Sequence, residues 1–452
     1  MRINWEKTLD DARKIFDAAL RNVDPLTMME RCLSIEAGQL LIRTEYDQVR
    51  FDLADFERII VMGMGKASAR MALGVEKLLG DRLSGGLVVV KEGYAEKLAR
   101  LTVVETSHPL PDRRSVRVGE DLSAMGQDLG ERALVLVLLS GGGSALVCAP
   151  QSGISLEDKM ITTGLLMARG ATIQEINCVR KHLSKIKGGR LAKTLAPATV
   201  VTLIISDVIG DDLDAIASGP TVADPTTFAD CLAIIGRYAI EGKIPLAVMK
   251  LLRQGAQGRA PETPKPGDTV FDRVKTLLIG TNRRALAAGE ARAKELGYAS
   301  MVLTSRLTGE AREAALFILG IGKDIASAGF PLKRPACVLL GGETTVTLRG
   351  NGRGGRNQEL ALAFLAALKR SPAHGRGLLL FSVATDGSDG PTDAAGAFAS
   401  SGLLERARLA GLEPEPYLSN NDSYGFFNRC GGLIRTGPTR TNVCDIHILL
   451  VP

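Results

Sequence analysis

The sequence predicts a two-domain α/β protein in which buried strands alternate with helices. Short aliphatic runs recur along the whole chain with helix-like segments between them, and continuous apolar runs indicate strands buried on both faces of a parallel sheet. Glycine-rich turns follow several of these runs, which accounts for a content of 50 glycines. A length of 452 residues is sufficient for two domains with separate cores.

The amino-terminal half begins with an amphipathic helix, because Trp5, Leu9, Ile15 and Phe16 recur on one face. A strand, a glycine turn and a helix over 69–79 follow. The predicted strands of this half are residues 58–62, 87–90, 101–104, 133–139 and 200–205. Their spacing is that of a parallel α/β arrangement.

A domain boundary is predicted near residues 254–268, where glycine and proline are frequent and no periodicity is present. We therefore predict an amino-terminal domain over 1–254, a linker over 255–268 and a carboxyl-terminal domain over 269–452. The α/β pattern resumes beyond the linker. Its predicted strands are residues 274–279, 300–304, 337–340, 378–383 and 444–451.

Composition and charge exclude several classes of protein. The net charge of +6 is spread along the chain without a basic tail, so nucleic acid is not an expected partner. The seven cysteines form no C-x-x-C pair and are expected to be reduced and mostly buried. Residues 1–20 carry charges throughout, and no apolar run reaches about 18 residues, so neither a signal peptide nor a membrane span is expected. The expected location is the cytoplasm.

The most informative segment is residues 341–359, which joins an apolar strand to a helix through a turn rich in glycine and arginine. Backbone amides without side chains can approach an anion closely there, and the arginines add positive charge. Glu343, Arg353, Arg356 and Asn357 are its candidate binding or catalytic residues. A tight turn with solvated arginines is the structural alternative.

A second glycine turn, Gly63-Met64-Gly65-Lys66-Ala67-Ser68, follows a strand and opens a helix. Its amides and helix dipole can face an anion, with a full charge added by Lys66. The turn is not a Walker loop, because Ile60 and Ala67 replace the required glycine and hydroxyl. It is not a dinucleotide fingerprint either, because Ser68 takes the place of the third glycine. A purely structural glycine turn remains the alternative.

Two further segments are candidate ligand sites. Ser140-Gly141-Gly142-Gly143-Ser144 follows a very apolar strand, at the end where open α/β sheets bind ligands. Residues 177–190 are helix-like and rich in lysine and arginine, with Arg180 and Lys181 as candidate contacts, although such a run is often a solvated face. With four histidines in the chain, His182 is not expected to be a metal ligand.

Two acidic turns also follow apolar strands. One contains Asp207 and Asp211, and the other contains Asp386 and Asp389. Carboxylates at strand ends suit Mg²⁺, which uses one or two carboxylates together with substrate phosphates. Aspartate is also common in ordinary turns, so some of these carboxylates serve only the turn.

Together these motifs resemble the class II glycerate kinases, the family with a carboxyl-terminal MOFRL domain. The motifs that carry the resemblance are 63–68 (GMGKAS), 140–144 (SGGGS), 179–184 (VRKHLS), 206–211 (SDVIGD), 219–221 (GPT), 341–345 (GGETT), 354–359 (GGRNQE), 385–390 (TDGSDG) and 421–424 (NDSY). The resemblance spans nearly the whole chain, and the combination is highly specific.

The resemblance implies a Rossmann-like three-layer αβα amino-terminal domain, an α/β MOFRL-type carboxyl-terminal domain and an active site in an interdomain cleft. It implies ATP-dependent phosphorylation of D-glycerate to 2-phosphoglycerate, with Lys66 and Arg356 as catalytic residues. Some members are named hydroxypyruvate reductase, after their place in tartrate degradation. The expected cofactors are ATP and Mg²⁺, the expected partner is the small substrate, and the chain is expected to be a monomer or homodimer.

Three alternatives differ in the features they require. An NAD(P)H-dependent hydroxypyruvate reductase needs a dinucleotide fingerprint, which the sequence lacks. An acyl-transfer hydrolase with Ser144 as nucleophile lacks the closing glycine of a nucleophile elbow. A non-enzymatic anion-binding protein would use the glycine turns equally well, but it gives no reason for paired acidic turns. The sequence does not rank Asp207, Asp211, Glu343 and Asp386 as base or metal ligand.

Overall fold

The structure is a computed structural model that describes residues 5–45 and 47–452. The helices are α1 Trp5–Asn22, α2 Pro25–Cys32, α3 Ser68–Leu79, α4 Arg113–Gln127, α5 Gly143–Leu146, α6 Leu156–Ala168, α7 Ile173–His182, α8 Arg190–Leu195, α9 Phe228–Arg237, α10 Leu246–Ala256, α11 Asn282–Glu295, α12 Ala311–Ala328, α13 Arg356–Arg370, α14 Ser401–Leu409, α15 Pro414–Ser419 and α16 Ser423–Cys430. The strands are β1 Leu33–Glu36, β2 Gln39–Arg43, β3 Gln48–Asp52, β4 Arg58–Met64, β5 Gly85–Lys91, β6 Thr102–Thr106, β7 Ala133–Leu139, β8 Thr199–Ile205, β9 Val274–Gly280, β10 Ala299–Leu307, β11 Ala336–Gly342, β12 Leu379–Ala384, β13 Gly396–Ser400, β14 Leu433–Ile434 and β15 Asp445–Val451.

The chain forms two compact units. The first, called here the 25–279 unit, is continuous in sequence. The second, called the carboxyl-terminal unit, combines the helix that begins the described chain with residues 280–452. The segment 255–268 lies within the 25–279 unit, where Thr263 is buried. The domain limits 1–254 and 269–452 stay a prediction.

The 25–279 unit is built around a six-stranded sheet with the order β6-β5-β4-β7-β8-β9. The pairs β4 with β5, β4 with β7, β5 with β6, and β7 with β8 are parallel, as the apolar runs predict. All seven residues of β7 are buried, which fits a central strand covered on both faces. Because neighbouring parallel strands end at the same edge, the turns after β4, β7 and β8 lie side by side. The predicted α/β fold class is confirmed.

One predicted helix of this unit, over 177–190, ends earlier than the sequence predicts. The segment 177–190 reads as helical in sequence, but α7 ends at His182. Beyond it, Ser184 forms an antiparallel bridge with Pro150, and Gly188 and Gly189 adopt positive φ values of 56° and 76° before α8 begins. Left-handed backbone favours glycine and ends a helical run, so the basic residues do not share one helix face.

The carboxyl-terminal unit contains a second six-stranded sheet, with the order β10-β11-β15-β12-β13-β14. Only its β10–β11 pair is parallel, whereas the four remaining pairs are antiparallel. Helix α1 packs in this unit, and the ring of its Phe16 lies 5.8 Å from that of Phe381. The amphipathic start of the chain therefore belongs to this core.

The seven cysteines are free thiols and all are buried, as predicted. Cys178 and Cys231 are close, with 3.5 Å between their sulfur atoms. Among the helices in the described ranges, none is both long enough and apolar enough to cross a membrane.

Candidate active site

The glycine turns after β4 and β7 are joined by hydrogen bonds at the carboxyl edge of the parallel sheet. The amide of Lys66 donates to the carbonyl of Gly141 over 2.9 Å, and the amide of Ala67 donates to Oγ of Ser140 over 2.9 Å. The hydroxyl of Ser68 donates to the carbonyl of Leu138 over 3.1 Å. Ser68 and Ser140, both predicted ligand contacts, are buried and hold the two turns together.

Two predicted binding glycines are required by this packing. Gly65 has φ of 139°, and a Cβ added there would lie 2.2 Å from Oγ of Ser140. A Cβ on Gly63 would lie 2.7 Å from Cγ1 of Val88. Real Cβ atoms do not approach so closely, so both positions must be glycine for β4 and its turn to fit against their neighbours.

Three polar side chains lie beside the Gly141-Gly142 backbone. A Cβ added to Gly141 would lie 2.1 Å from Oδ2 of Asp207, so this carboxylate lies directly against the glycine turn. A Cβ on Gly142 would lie 3.0 Å from the ring of His108 and 3.5 Å from Cγ of Lys66. The fold thus brings together Lys66 and Asp207, two residues selected from sequence, and adds His108, which the sequence analysis missed. Its position just after β6, at the same edge, was the available signal.

Ser144 lies at the end of the same turn, in the first residues of α5, whose first residue is the buried Gly143. Its Oγ is 2.7 Å from Oγ of Ser218 and accepts a hydrogen bond of 2.9 Å from Nζ of Lys187. Lys187 is a second residue that sequence reasoning missed. Ala217 and Ser218 have φ values of 51° and 61°, an uncommon conformation for residues other than glycine. Such backbone costs about 1–3 kcal/mol per residue and concentrates at functional sites.

In the basic segment 177–190, the predicted ligand contact Lys181 is bound to two carboxylates. Lys181 is buried, and its Nζ lies 2.7 Å from Oδ2 of Asp214 and 3.4 Å from Oδ1 of Asp224. These carboxylates neutralise Lys181, so its geometry is that of a buried ion pair and gives no support to a ligand contact. Arg180, the preceding residue, is only partly buried. Asp211 is partly exposed in the turn after β8, with φ of 61°.

In the carboxyl-terminal unit, Arg356 is held by two carboxylates. Its Nε and Nη2 donate to the two oxygens of the fully buried Asp445 over 2.6 and 2.9 Å, and its Nη1 lies 2.7 Å from Oε1 of Glu343. Burial lowers the pKa of Arg356, but the hydrogen bonds and charge of Asp445 outweigh it, and the net pKa is raised. The guanidinium is therefore permanently charged and rigidly oriented.

Asp389, a predicted metal ligand, caps the amino terminus of α13. Its two oxygens accept hydrogen bonds from the amides of Asn357 and Gln358 over 3.1 and 2.9 Å and from both side-chain amides over 3.2 and 3.0 Å. Burial, together with the charge of Asp445, raises the pKa of Asp389 to about 6 despite these bonds. Its lone pairs are occupied, so the geometry supports a structural cap and not a metal ligand. Asn357 is fully buried in the same network, where its Oδ1 accepts from Ser382.

Two predicted residues of this unit are accessible to a ligand. Arg353 is exposed, and its guanidinium stacks 4.7 Å from the centre of the Tyr424 ring. Asp386 is partly exposed, and its Oδ1 accepts from the amide of Ser388 over 3.0 Å. The carboxyl-terminal unit thus offers the exposed Arg353 and the partly exposed Glu343, Arg356 and Asp386 to a ligand.

A parallel sheet with lysine, aspartate and glycine turns meeting at its carboxyl edge defines an α/β protein suited to small anionic ligands. A sequence model described as a domain of unknown function, DUF4147, matches residues 11–253, and the MOFRL family matches residues 336–445. The glycerate 2-kinase of Pyrococcus horikoshii is 39% identical over 97% of this chain and 96% of its own length. The D-glycerate 2-kinase of Thermotoga maritima is 42% identical over 88% and 91%.

A solved structure agrees with these sequence matches. The crystal structure of a glycerate kinase from Thermotoga maritima, 37% identical, superposes with a TM-score of 0.85 and covers 99% of this chain and 100% of that chain. The chain belongs to the glycerate kinase family, and it carries matches to the DUF4147 and MOFRL domains. The resemblance inferred from the motifs is confirmed.

Proposed function

We propose that this protein transfers the γ-phosphoryl group of ATP to the 2-hydroxyl group of D-glycerate, forming 2-phosphoglycerate and ADP. The observation that carries the proposal is the convergence of Lys66 and Asp207 on the Gly141-Gly142 backbone. The names of the relatives support the same substrate and reaction. The proposed setting is the cytoplasm, with small molecules as partners and a monomer or homodimer as the assembly.

The proposed chemistry needs few groups, because phosphoryl transfer depends on positioning and on neutralising the charge of the moving group. Lys66 would supply a positive charge beside the glycine turn, and backbone amides of that turn would bind phosphate oxygens. In the carboxyl-terminal unit, Arg353 and Arg356 would contact anionic oxygens of the reactants. Their planar guanidinium groups suit phosphate or carboxylate.

We propose Asp207 and Asp211 as the residues that hold Mg²⁺. Their fit rests on donor chemistry, since both carry hard oxygens in one turn at the sheet edge and the Asp207 carboxylate lies against the glycine turn. Mg²⁺ bound there would supply neutralisation of phosphate charge. Asp386 is a second candidate ligand, in the carboxyl-terminal unit.

The reaction class is tested by following ADP and NADH separately in one preparation of the protein. We expect ADP release with ATP, Mg²⁺ and D-glycerate, and no oxidation of NADH with hydroxypyruvate, because Ser68 stands where a dinucleotide fingerprint needs glycine. A mixture without glycerate is the control for ATP hydrolysis. NADH oxidation without any ADP release would instead favour the reductase.

Removal of Mg²⁺ by a chelator should abolish turnover while leaving the unfolding temperature unchanged, because the proposed metal serves the reactants and not the core. The test variant is Asp207→Asn. Its control is Asp212→Asn, because Asp212 is exposed in the same turn. We expect only Asp207→Asn to raise the Mg²⁺ concentration needed for half-maximal rate. Full turnover in excess chelator would contradict the metal proposal.

A further inference from the structure

Three basic residues gather next to the candidate site, and they have no carboxylate partner within residues 5–45 and 47–452. Lys159 of α6 is 7% exposed and Lys187 is 3% exposed. Arg180 of α7 is close enough to both to lower their pKa values. This set of Lys159, Arg180 and Lys187 is called here the cationic cluster.

The cationic cluster lacks counter-charges in the part of the chain that the structure describes. The ammonium of Lys159 makes no hydrogen bond of normal geometry. Lys187 donates only to neutral oxygens, namely the carbonyl and Oγ of Ser144 over 3.1 and 2.9 Å and the carbonyl of Ala217 over 3.4 Å. Buried Lys181, by contrast, is paired with two carboxylates, as buried lysines ordinarily are.

The pKa directions of the two lysines agree with this lack of counter-charges. Burial lowers the pKa of Lys159, and the thiol of Cys148 offsets only part of that effect. Burial also lowers the pKa of Lys187, and the nearby positive charges of Lys159 and Arg180 lower it further. An uncompensated buried cation is costly, and a bound anion would relieve that cost. The cluster therefore favours an anion.

The location of the cluster connects it to the reaction. Lys187 contacts Ser144, which ends the glycine turn beside Lys66 and Asp207. A ligand anion bound to Lys159 and Lys187 would thus lie at the carboxyl edge of β7, the edge at which open α/β sheets hold their ligands. The ammonium groups of Lys159 and Lys187 bond to no carboxylate among the described residues, so they bring no ligand for the metal that accompanies nucleotide phosphates.

We propose that Lys159 and Lys187, with Arg180, bind the carboxylate group of the 2-hydroxy acid acceptor, an inference that rests on the proposed kinase function. Two ammonium groups and one guanidinium would neutralise the carboxylate and leave the hydroxyl group of the acceptor free for phosphoryl transfer. The cluster would select acids over neutral polyols of similar size, because a neutral ligand leaves the buried charges uncompensated.

The experiment measures the dissociation constant of D-glycerate by calorimetry for wild type, Lys159→Met and Lys187→Gln. Methionine keeps the volume of Lys159 without its charge, and glutamine retains a donor toward Ser144. We expect each variant to weaken glycerate binding by about 10- to 100-fold, the effect of losing a hydrogen bond to a charged group. The dissociation constant of a non-hydrolysable ATP analogue with Mg²⁺ should stay unchanged. The control is Lys185→Met, which changes an exposed lysine in the same segment.

A second readout distinguishes ligand binding from a structural role. The unliganded Lys159→Met variant should unfold at the same or a higher temperature than wild type, because it removes an unpartnered buried ammonium. The preference for glycerate over glycerol, measured as a ratio of kcat/KM values, should fall in both cluster variants. Weakened nucleotide binding with unchanged glycerate binding would overturn the inference, as would equal effects in Lys185→Met.

The inference and the proposed function fail in different ways. If wild type binds D-glycerate without phosphorylating it and the cluster variants do not bind it, the kinase proposal fails and the carboxylate site stands. If wild type forms 2-phosphoglycerate and both cluster variants retain its glycerate affinity, the carboxylate site is overturned and the kinase proposal stands.

Discussion

Replacement of Lys66 by alanine is expected to lower kcat by about 100- to 1000-fold, the range seen when one donor to the transition state is removed. The side chain of Lys66 lies beside Gly142, where developing phosphoryl charge would be bound. The turn itself should be retained, because the backbone amide of Lys66, and not its side chain, bonds to Gly141. The measurement is steady-state kinetics together with the unfolding temperature.

The matched control is Lys185→Ala, an exposed lysine whose loss should leave kcat near the wild-type value. Lys181→Ala is unsuitable, because it would remove the lysine that pairs with the buried Asp224. Near-normal kcat in Lys66→Ala with unchanged stability would show that the turn after β4 is only structural. The site assignment in the 25–279 unit would then be wrong.

Replacement of Arg356 by alanine should lower the free energy of unfolding by about 3–5 kcal/mol, the cost of leaving one partner of a buried ion pair uncompensated. Asp445 is fully buried and receives two hydrogen bonds from the guanidinium. Arg356→Lys keeps a charge but loses the planar fork, so we expect an intermediate loss of stability and strongly impaired turnover. Denaturant unfolding and kinetics measure the two effects.

Two further variants separate the contributions of Glu343 and Asp445 to the loss of stability. Glu343→Gln should cost less than about 1 kcal/mol, because its side chain is 42% exposed and solvent screens the pair. Asp445→Asn combined with Arg356→Ala should recover part of the lost stability, since the orphaned charge is removed. Additive losses in the double variant would contradict the account. Lost turnover at unchanged stability would instead assign Arg356 to ligand contact alone.

The strands were largely predictable because a short, continuous apolar run between turns is typical of a buried strand. Strand β7 has the predicted limits, and β4 and β8 differ from the prediction by one or two residues at an end. Strand direction in the carboxyl-terminal unit was not predictable. Burial on both faces produces the same apolar run in parallel and antiparallel strands, and β15 pairs antiparallel with both β11 and β12.

Part of the candidate site could be predicted from the sequence, because its residues directly follow strands that end at one edge of the sheet. Lys66, the triple glycine and Asp207 follow β4, β7 and β8, and adjacent parallel strands bring their ends together. Lys159 was missed because a lysine within a helical pattern is normally solvated, and only tertiary packing buries it. Asp389 has the local sequence of a turn aspartate, yet it caps α13, a contact between segments about thirty residues apart.

The most direct test of the account is ³¹P NMR of a mixture that contains the protein, ATP, Mg²⁺ and D-glycerate, followed to completion. The proposed phosphoryl transfer predicts equal amounts of ADP and 2-phosphoglycerate, with no inorganic phosphate in excess of the protein-free mixture. Lys66→Ala, recorded in parallel over the same time, should yield about 100-fold less product at early times. A spectrum with no phosphoglycerate, or with the phosphoryl group on the 3-hydroxyl, would contradict the account.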